Sequence, residues 1–370
     1  MQQREAATIS REDNTDLYPV DFDTAMGKGS GYFRQVQRYQ GINAEFYARF
    51  KEIYNLNNLS VIPHGQTPGT PKIVHQIWIG TRPLPEQLRA YRETWLNVMP
   101  KWEHKLWTNK EVAEYKFVDP RLEELFSRSL TIGERVDILK YDIILKHGGV
   151  YADTDCVCLR PFDILAENYD FFGGILPPFF AYQFPALIVQ NCLFAARASH
   201  PIIRKTASLV AENWDSMNAQ FQGDDTATTL GRTFLWLTSA VKSEALKDGN
   251  RDIAFPPTFF FPQTAFPMLD FAIRGPIESL FTRLKGKRGP YSFIREYSFS
   301  QHYSSKEWMH DLFPTMKLKT GHIWTVLSAK DWRSYLRAKL IPSDKQKVIP
   351  RETFEQLLER ANKTESTVKR

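Results

Sequence analysis

The stretch His147-Gly148-Gly149-Val150-Tyr151-Ala152-Asp153-Thr154-Asp155-Cys156-Val157 decides how this chain is read. A glycine pair ends one pattern, a short apolar run begins another, and two carboxylates follow two residues apart. In an extended backbone alternate side chains leave the same face, so Asp153 and Asp155 would hold one hard divalent cation between them. Two carboxylates do not saturate such an ion, which leaves ligand positions for water and for phosphate oxygens of a substrate. The pattern points to a metal and diphosphate site and to transfer from a phosphorylated donor. A solvated turn carries the same pair of acids, so the flanking sequence has to choose.

Upstream, Val136, Leu139 and Ile143 recur at helical spacing between Gly133 and His147, and Gly148-Gly149 supplies the stop that helices favour. Asp137, Lys140 and Tyr141 stand at i, i+3 and i+4 and are neighbours on the other surface of that helix. Two readings stand for them: part of the site, or a solvent-facing ion pair on an ordinary amphipathic helix.

The run Asp137-Ile-Leu-Lys140-Tyr141, six residues, Gly148-Gly149-Val-Tyr151-Ala-Asp153-Thr-Asp155 resembles the signature of family 32 glycosyltransferases. That group includes the yeast initiating mannosyltransferases and is similar, more distantly, to the catalytic domain of the clostridial glucosylating toxins. Its signature reads Asp-x-x-Arg, a helix, Gly-Gly-x-Tyr, then Asp-x-Asp. Lys140 stands where arginine is usual, which keeps the charge and loses the planar, bidentate fork. The resemblance implies an α/β fold of the glycosyltransferase-A type, with a mixed central sheet and additional peripheral helices. It also implies a nucleoside-diphosphate sugar donor, Mn2+ or Mg2+ as cofactor, and retention of anomeric configuration. On the same resemblance Asp153 and Asp155 are the catalytic pair and metal ligands, and Asp137, Lys140 and Tyr151 belong to the donor site.

Pro71 to Gly80 reads as a strand with Ile73, His75, Ile77 and Ile79 on one face and Val74, Gln76 and Trp78 on the other. It resembles the family's opening strand, whose tryptophan stacks on the nucleotide base; without that resemblance Trp78 reads as a core aromatic. A helix from Pro85 to Met99, with Leu88, Tyr91, Trp95 and Val98 on one stripe, and a strand from Lys101 to Thr108 complete a βαβ unit. Its strand ends should face the ligand. Ala186 to Ala196, followed by His200-Pro201, resembles the family's Asn-bearing strand, so Asn191 either binds sugar hydroxyls or satisfies buried backbone. Ile203, Ala207, Val210 and Trp214 make the stripe of the next helix. Thr229-Leu-Gly231-Arg232 partly resembles a Thr-Gly-Pro motif but lacks the proline. Gln301 to Trp308 resembles the C-terminal segment in which a histidine approaches the metal and a tryptophan closes over the phosphates, which makes His302 a metal ligand and Trp308 a donor contact.

At 370 residues and 42% hydrophobic the chain has material for a large core. We expect a poorly ordered arm over 1–30, a helical segment and connector over 31–70, a catalytic domain over 71–328 and a helical tail over 329–370. The net charge of +6 suits diphosphates, anionic lipid or acidic glycans. Basic and acidic residues alternate along the helices and no nucleic-acid motif appears, so nucleic acid is not an expected partner. Phe171 to Ala196 is uncharged and long enough to span a bilayer, but its glycines, prolines, Gln190 and Asn191 favour two buried strands. No hydrophobic segment follows Met1, so a soluble cytoplasmic protein is expected, with a secreted effector as the alternative. Phe255 to Phe266 reads as a packed loop or as a peripheral membrane contact for a lipid-linked acceptor; glycan and protein acceptors are also open. Cys156, Cys158 and Cys192 fit a reducing compartment, and Cys156-x-Cys158 lacks the second ligand pair of a zinc site, so the pair reads as core packing. Two other classes fit parts of the chain. Asp153-Thr-Asp155-Cys-Val157 with Gly223-Asp224-Asp225 matches a haloacid-dehalogenase-like phosphatase, and a non-catalytic nucleotide or glycan binder would keep the same fold without turnover.

Overall fold

A computed structural model describes residues 21–26, 42–62, 69–129, 131–176, 187–220, 230–262 and 297–303. Helices α1 (Phe22–Ala25) and α2 (Ile42–Asn57) precede the first βαβ unit, which is β1 (Ile73–Ile77), α3 (Glu86–Val98) and β2 (Glu103–Trp107). After α4 (Asn109–Ala113) and α5 (Pro120–Arg128) comes the long helix α6 (Ile132–His147), followed directly by β3 (Gly149–Ala152) and β4 (Cys156–Cys158). The rest is α7 (Asp163–Asn168), β5 (Phe171–Ile175), β6 (Val189–Ala196), α8 (Pro201–Gln220), α9 (Trp236–Glu244), β7 (Asp252–Phe255), α10 (Pro257–Phe260) and β8 (Ser300–His302).

The central sheet has the order β2-β1-β3-β6-β5-β7. Strand β1 is parallel to β2 and β3, β6 is antiparallel to β3 and β5, and β5 is parallel to β7, so β6 alone runs against the rest. This is the expected α/β class with a mixed sheet. Both β5 and β6 are buried along their whole length, so the two described parts of the uncharged stretch from Phe171 to Ala196 serve as sheet interior. The stripes expected on α3 and α8 face inward, with Leu88, Trp95, Ile203, Ala207, Val210 and Trp214 all buried. Helix α6 is different: Ile138, Leu139, Lys140, Tyr141, Asp142, Ile143 and Ile144 are buried around its circumference, so the solvent-facing reading of Asp137 and Lys140 is wrong.

Inside the stretch expected to be a loose arm, residues 21–26 form a capped turn of helix. Asp21 Oδ1 accepts from the Thr24 N–H at 3.1 Å, and Phe22, Ala25 and Met26 are buried beside Tyr47 and Tyr54. The other residues of that arm and the whole expected tail over 329–370 lie outside the described residues. Phe255, Phe259, Phe260 and Phe261 are core residues, so the described part of the aromatic stretch offers no surface to a membrane. No helix among the described residues is long and apolar enough to cross one.

The junction from α6 to β3 takes no linker. Gly148 caps the helix, its N–H donating to the Ile144 carbonyl at 2.9 Å, and it adopts φ 64° while Gly149 adopts 105°. A Cβ on Gly149 would stand 2.7 Å from the Ile73 oxygen and 3.0 Å from His75 Nε2. His75 is buried; its Nε2 lies 2.9 Å from the Gly148 oxygen and its Nδ1 accepts from the Trp107 indole N–H at 3.2 Å. Trp107 fixes the tautomer, since a ring accepting at Nδ1 carries its proton on Nε2. Burial, opposed by the Gly148 bond and aided by His147 and Lys105, lowers the His75 pKa to about 3.

Two outcomes follow. Gly149→Ala meets both a disfavoured φ and a backbone clash, so it should lower unfolding free energy by roughly 2–3 kcal/mol; a cost below about 0.5 kcal/mol in urea melts would refute the tight junction. His75 is neutral when folded and titrates normally when unfolded, so its contribution is complete above the ordinary histidine pKa and is lost as pH falls from there towards 3. Parent stability should therefore drop faster than that of His75→Gln between about pH 6.5 and 5, by up to about 1.4 kcal/mol per pH unit.

Candidate active site

The Asp pair does not lie on a strand. Strand β3 ends at Ala152, and Asp153 to Cys156 form a turn closed by the Cys156 N–H donating to the Asp153 oxygen at 3.0 Å. The expectation of an extended Asp-x-Asp is corrected accordingly: the backbone turns, and the two carboxylates still point to one place. What brings a third ligand to the turn is a ribbon: β4 pairs antiparallel with β8, placing Cys156 opposite His302. The Tyr303 N–H donates to the Asp155 oxygen at 3.1 Å, and His302 Nε2 lies 3.0 Å from Asp155 Oδ1. Ligand atoms of Asp153, Asp155 and His302 all fall within 4.8 Å of one another. Two carboxylates and an imidazole at that spacing fit a divalent cation such as Mn2+ or Mg2+. Burial works against a charge on His302, yet Asp155, with Cys156 and Asp153 adding to it, outweighs burial and pushes the pKa up to about 10.

Asp153 is held from behind. Its Oδ1 accepts from the Tyr151 hydroxyl at 2.6 Å and lies 3.8 Å from Lys140 Nζ, while its N–H donates to the Cys192 carbonyl at 2.7 Å. Lys140 is 1% exposed. Its ammonium is 2.6 Å from Asp137 Oδ1, donates to the Asn191 carbonyl at 3.0 Å and sits 4.7 Å from the centre of the Tyr151 ring. Burial alone would lower the lysine pKa, but Asp137 and Asp153 raise it above the ordinary value. The Asp153 pKa is also raised, by burial first and by Asp155, with Lys140 opposing.

The expected donor residues thus separate into groups. Lys140 and Tyr151 are buried, Tyr151 hydrogen-bonded to Asp153 and Lys140 paired with both Asp137 and Asp153, so any influence they have on a donor runs through those carboxylates. Asn191 is buried on β6 with its side-chain amide donating to the Tyr141 hydroxyl at 3.3 Å, a side-chain partner rather than the backbone one expected of a structural role. Asp137 also accepts from Thr233 Oγ1 at 2.5 Å. Trp78 is outside the buried core, follows the end of β1, and donates its indole N–H to the Arg82 oxygen at 2.9 Å. Since β1 and β3 are parallel with His75 opposite Tyr151, Trp78 and Asp153 emerge at the same edge of the sheet. Trp308, Asp224 and Asp225 lie outside the described residues.

Sequence reasoning missed three contributors. The Glu134–Arg232 pair, 2.8 Å apart and buried, ties the start of α6 to the short π-helix Leu230–Phe234 that carries Thr233. Tyr303 stacks on Tyr91 of α3 with ring centroids 4.9 Å apart. His75 clamps the glycine junction. The adjacency of Tyr303 to His302 and the partial motif ending at Arg232 were the signals the sequence carried for them.

The mixed α/β sheet carries an Asp-x-Asp turn at the end of β3, and the antiparallel β4–β8 ribbon brings a histidine to it. Residues 85–172 match the family described as glycosyltransferase sugar-binding region containing DXD motif. An uncharacterised glycosyltransferase of Acanthamoeba polyphaga mimivirus is 29% identical over 36% of this chain and 52% of its own length. The inositol phosphoceramide mannosyltransferase 3 of Schizosaccharomyces pombe is 34% identical over 27% of this chain and 28% of its own length. The chain thus spans about half of the first relative and about a quarter of the second. Among solved structures, the PaToxG glycosyltransferase overlays with a TM-score of 0.37 at 16% identity, covering 58% of this chain and 80% of that one.

Lys140→Met should cost about 2–3 kcal/mol of unfolding free energy, because it leaves Asp137 and Asp153 facing each other without their shared cation. Denaturant melts check this, and a loss under about 0.5 kcal/mol would show that the carboxylates are satisfied without it.

Proposed function

We propose that the chain is a metal-dependent, retaining glycosyltransferase of the glycosyltransferase-A type. It moves a hexosyl group from a UDP- or GDP-sugar to a glycan, lipid-linked or protein acceptor. The observation that carries this reading is the convergence of Asp153, Asp155 and His302 within 4.8 Å at the end of β3. These residues would hold Mn2+ or Mg2+, with His302 giving up its proton as it becomes a ligand. Bound there, the ion would supply charge stabilisation to a diphosphate leaving group. Lys140 and Tyr151 keep Asp153 oriented and ionised. Trp78 offers its indole to the base. Asp137 lies close enough to the surface, at 16% side-chain exposure, to reach a sugar hydroxyl. The named relative is a mannosyltransferase acting on a phosphoceramide, which makes GDP-mannose and a glycolipid acceptor the first pair to try.

The test is a donor-hydrolysis screen with UDP- and GDP-sugars plus Mn2+, with and without acceptor, followed by the anomeric configuration of any product. Asp153→Asn and Asp155→Asn should each lower turnover at least ~100-fold, on the order of 2.7 kcal/mol. Trp78→Ala should weaken nucleotide binding by roughly 1–3 kcal/mol while leaving the melting temperature near the parent's. Donor binding without hydrolysis or transfer would indicate a non-catalytic binder. Phosphate release from simple monoesters, with nucleotide sugars untouched, would indicate a phosphatase.

A further inference from the structure

Two cysteines beside the carboxylate turn have no part in sugar transfer. All three cysteines are free and buried, but they are not equivalent. Cys158 is turned away, its Sγ donating to the Arg160 oxygen at 3.2 Å. Cys156 begins β4 and its Sγ donates to the Cys192 carbonyl, on β6, at 3.7 Å. The sulfurs of Cys156 and Cys192 and a ring nitrogen of His302 fall within 4.8 Å of one another. His302 therefore stands between two ligand sets, a hard one with Asp153 and Asp155 and a soft one with two thiols.

Cys156 and Cys158 are not a ligand pair, since only the first points to this place. The missing ligands come from β6 and β8, far away in sequence. Two sulfurs and an imidazole, with one position left for water or a neighbouring oxygen, form the donor set that selects a thiophilic, tetrahedral ion.

We propose that Cys156, Cys192 and His302 form a second cation site, taking Zn2+ or Cd2+, that competes with the carboxylate site for His302. A neutral imidazole has one lone pair, so the ring serves one ion at a time. Each thiol releases its proton to solvent as its sulfur binds. Occupation of the thiol site strips the carboxylate site of its nitrogen ligand, and a thiophilic ion then inhibits by relocation of His302. The binding claim is independent of the transferase reading, because its readout needs no nucleotide sugar.

The experiment uses the full chain, reduced, without nucleotide. Co2+ should give the near-ultraviolet thiolate-to-metal absorption, which Zn2+ abolishes and which excess Mn2+ diminishes by drawing His302 to the carboxylates. Cys192→Ser should weaken Zn2+ binding about tenfold or more, whereas Asp153→Asn should change it less than about twofold. Absence of thiolate absorption in the parent overturns the proposal whether or not the cysteine variant folds. So does Zn2+ affinity that survives Cys192→Ser and is lost in Asp153→Asn, which would place zinc among the carboxylates.

Discussion

The ammonium of Lys140 is the charge around which the site is built. It lies on α6, bonds the backbone of β6 at Asn191, and faces Asp137 on its own helix and Asp153 beyond β3. An unpaired ammonium at that depth would lose its proton or drive the helix outward, because desolvation of a lone charge costs several kcal/mol. Three oxygen partners from separate elements remove that penalty. The helix, the sheet and the Asp turn are thereby fixed to one another by electrostatics as well as by apolar packing. The lysine that stands where the related signature has arginine also makes physical sense. A compact ammonium with three donors fits a closed space bounded by the Tyr151 ring, where a planar guanidinium would need more room.

The position of His302 rests on a different kind of interaction. Strand β8 is only three residues long, too short to hold its place by pairing alone. Its approach is anchored by the Phe299 N–H donating to the Phe259 oxygen at 2.7 Å and by Ser300 Oγ donating to the Phe260 oxygen at 3.0 Å. The Phe299 ring packs against Phe162 and Phe260. An aromatic core beneath the sheet thus delivers a ligand to its edge. The phenylalanine-rich stretch that read as a packed loop or a lipid contact has, in its described part, this architectural use.

Much of the scaffold was legible because it is local. The stripes of α3 and α8, the glycine stop after α6 and the paired buried strands β5 and β6 follow from periodicity and composition over short windows. The site was legible only in its outline. Asp153 and Asp155 were found through their spacing, but the geometry assumed for them was a strand and the chain makes a turn. Whether Lys140 faced solvent depended on how many neighbours cover α6, which no single-helix pattern contains. The roles of His75, Cys192 and Thr233 arise from contacts between distant elements and leave no local trace. His302 was reachable only through the resemblance to a known signature.

The sheet order itself explains why ligand groups gather where they do. From β1 the chain goes to β2 on one side and then returns to β3 on the other, so the connections leaving the ends of β1 and β3 diverge. Such a switch in direction opens a crevice at the carboxyl ends of the strands, the place where open α/β sheets bind ligands. Trp78 follows one of these strands and Asp153 the other. The reversed strand β6 closes the far side, because its Cys192 carbonyl accepts the Asp153 N–H and ends the crevice one strand further on. A base against the end of β1 and a diphosphate against the turn after β3 would lie across neighbouring strands. The donor reading therefore rests on topology and side-chain chemistry converging on one edge.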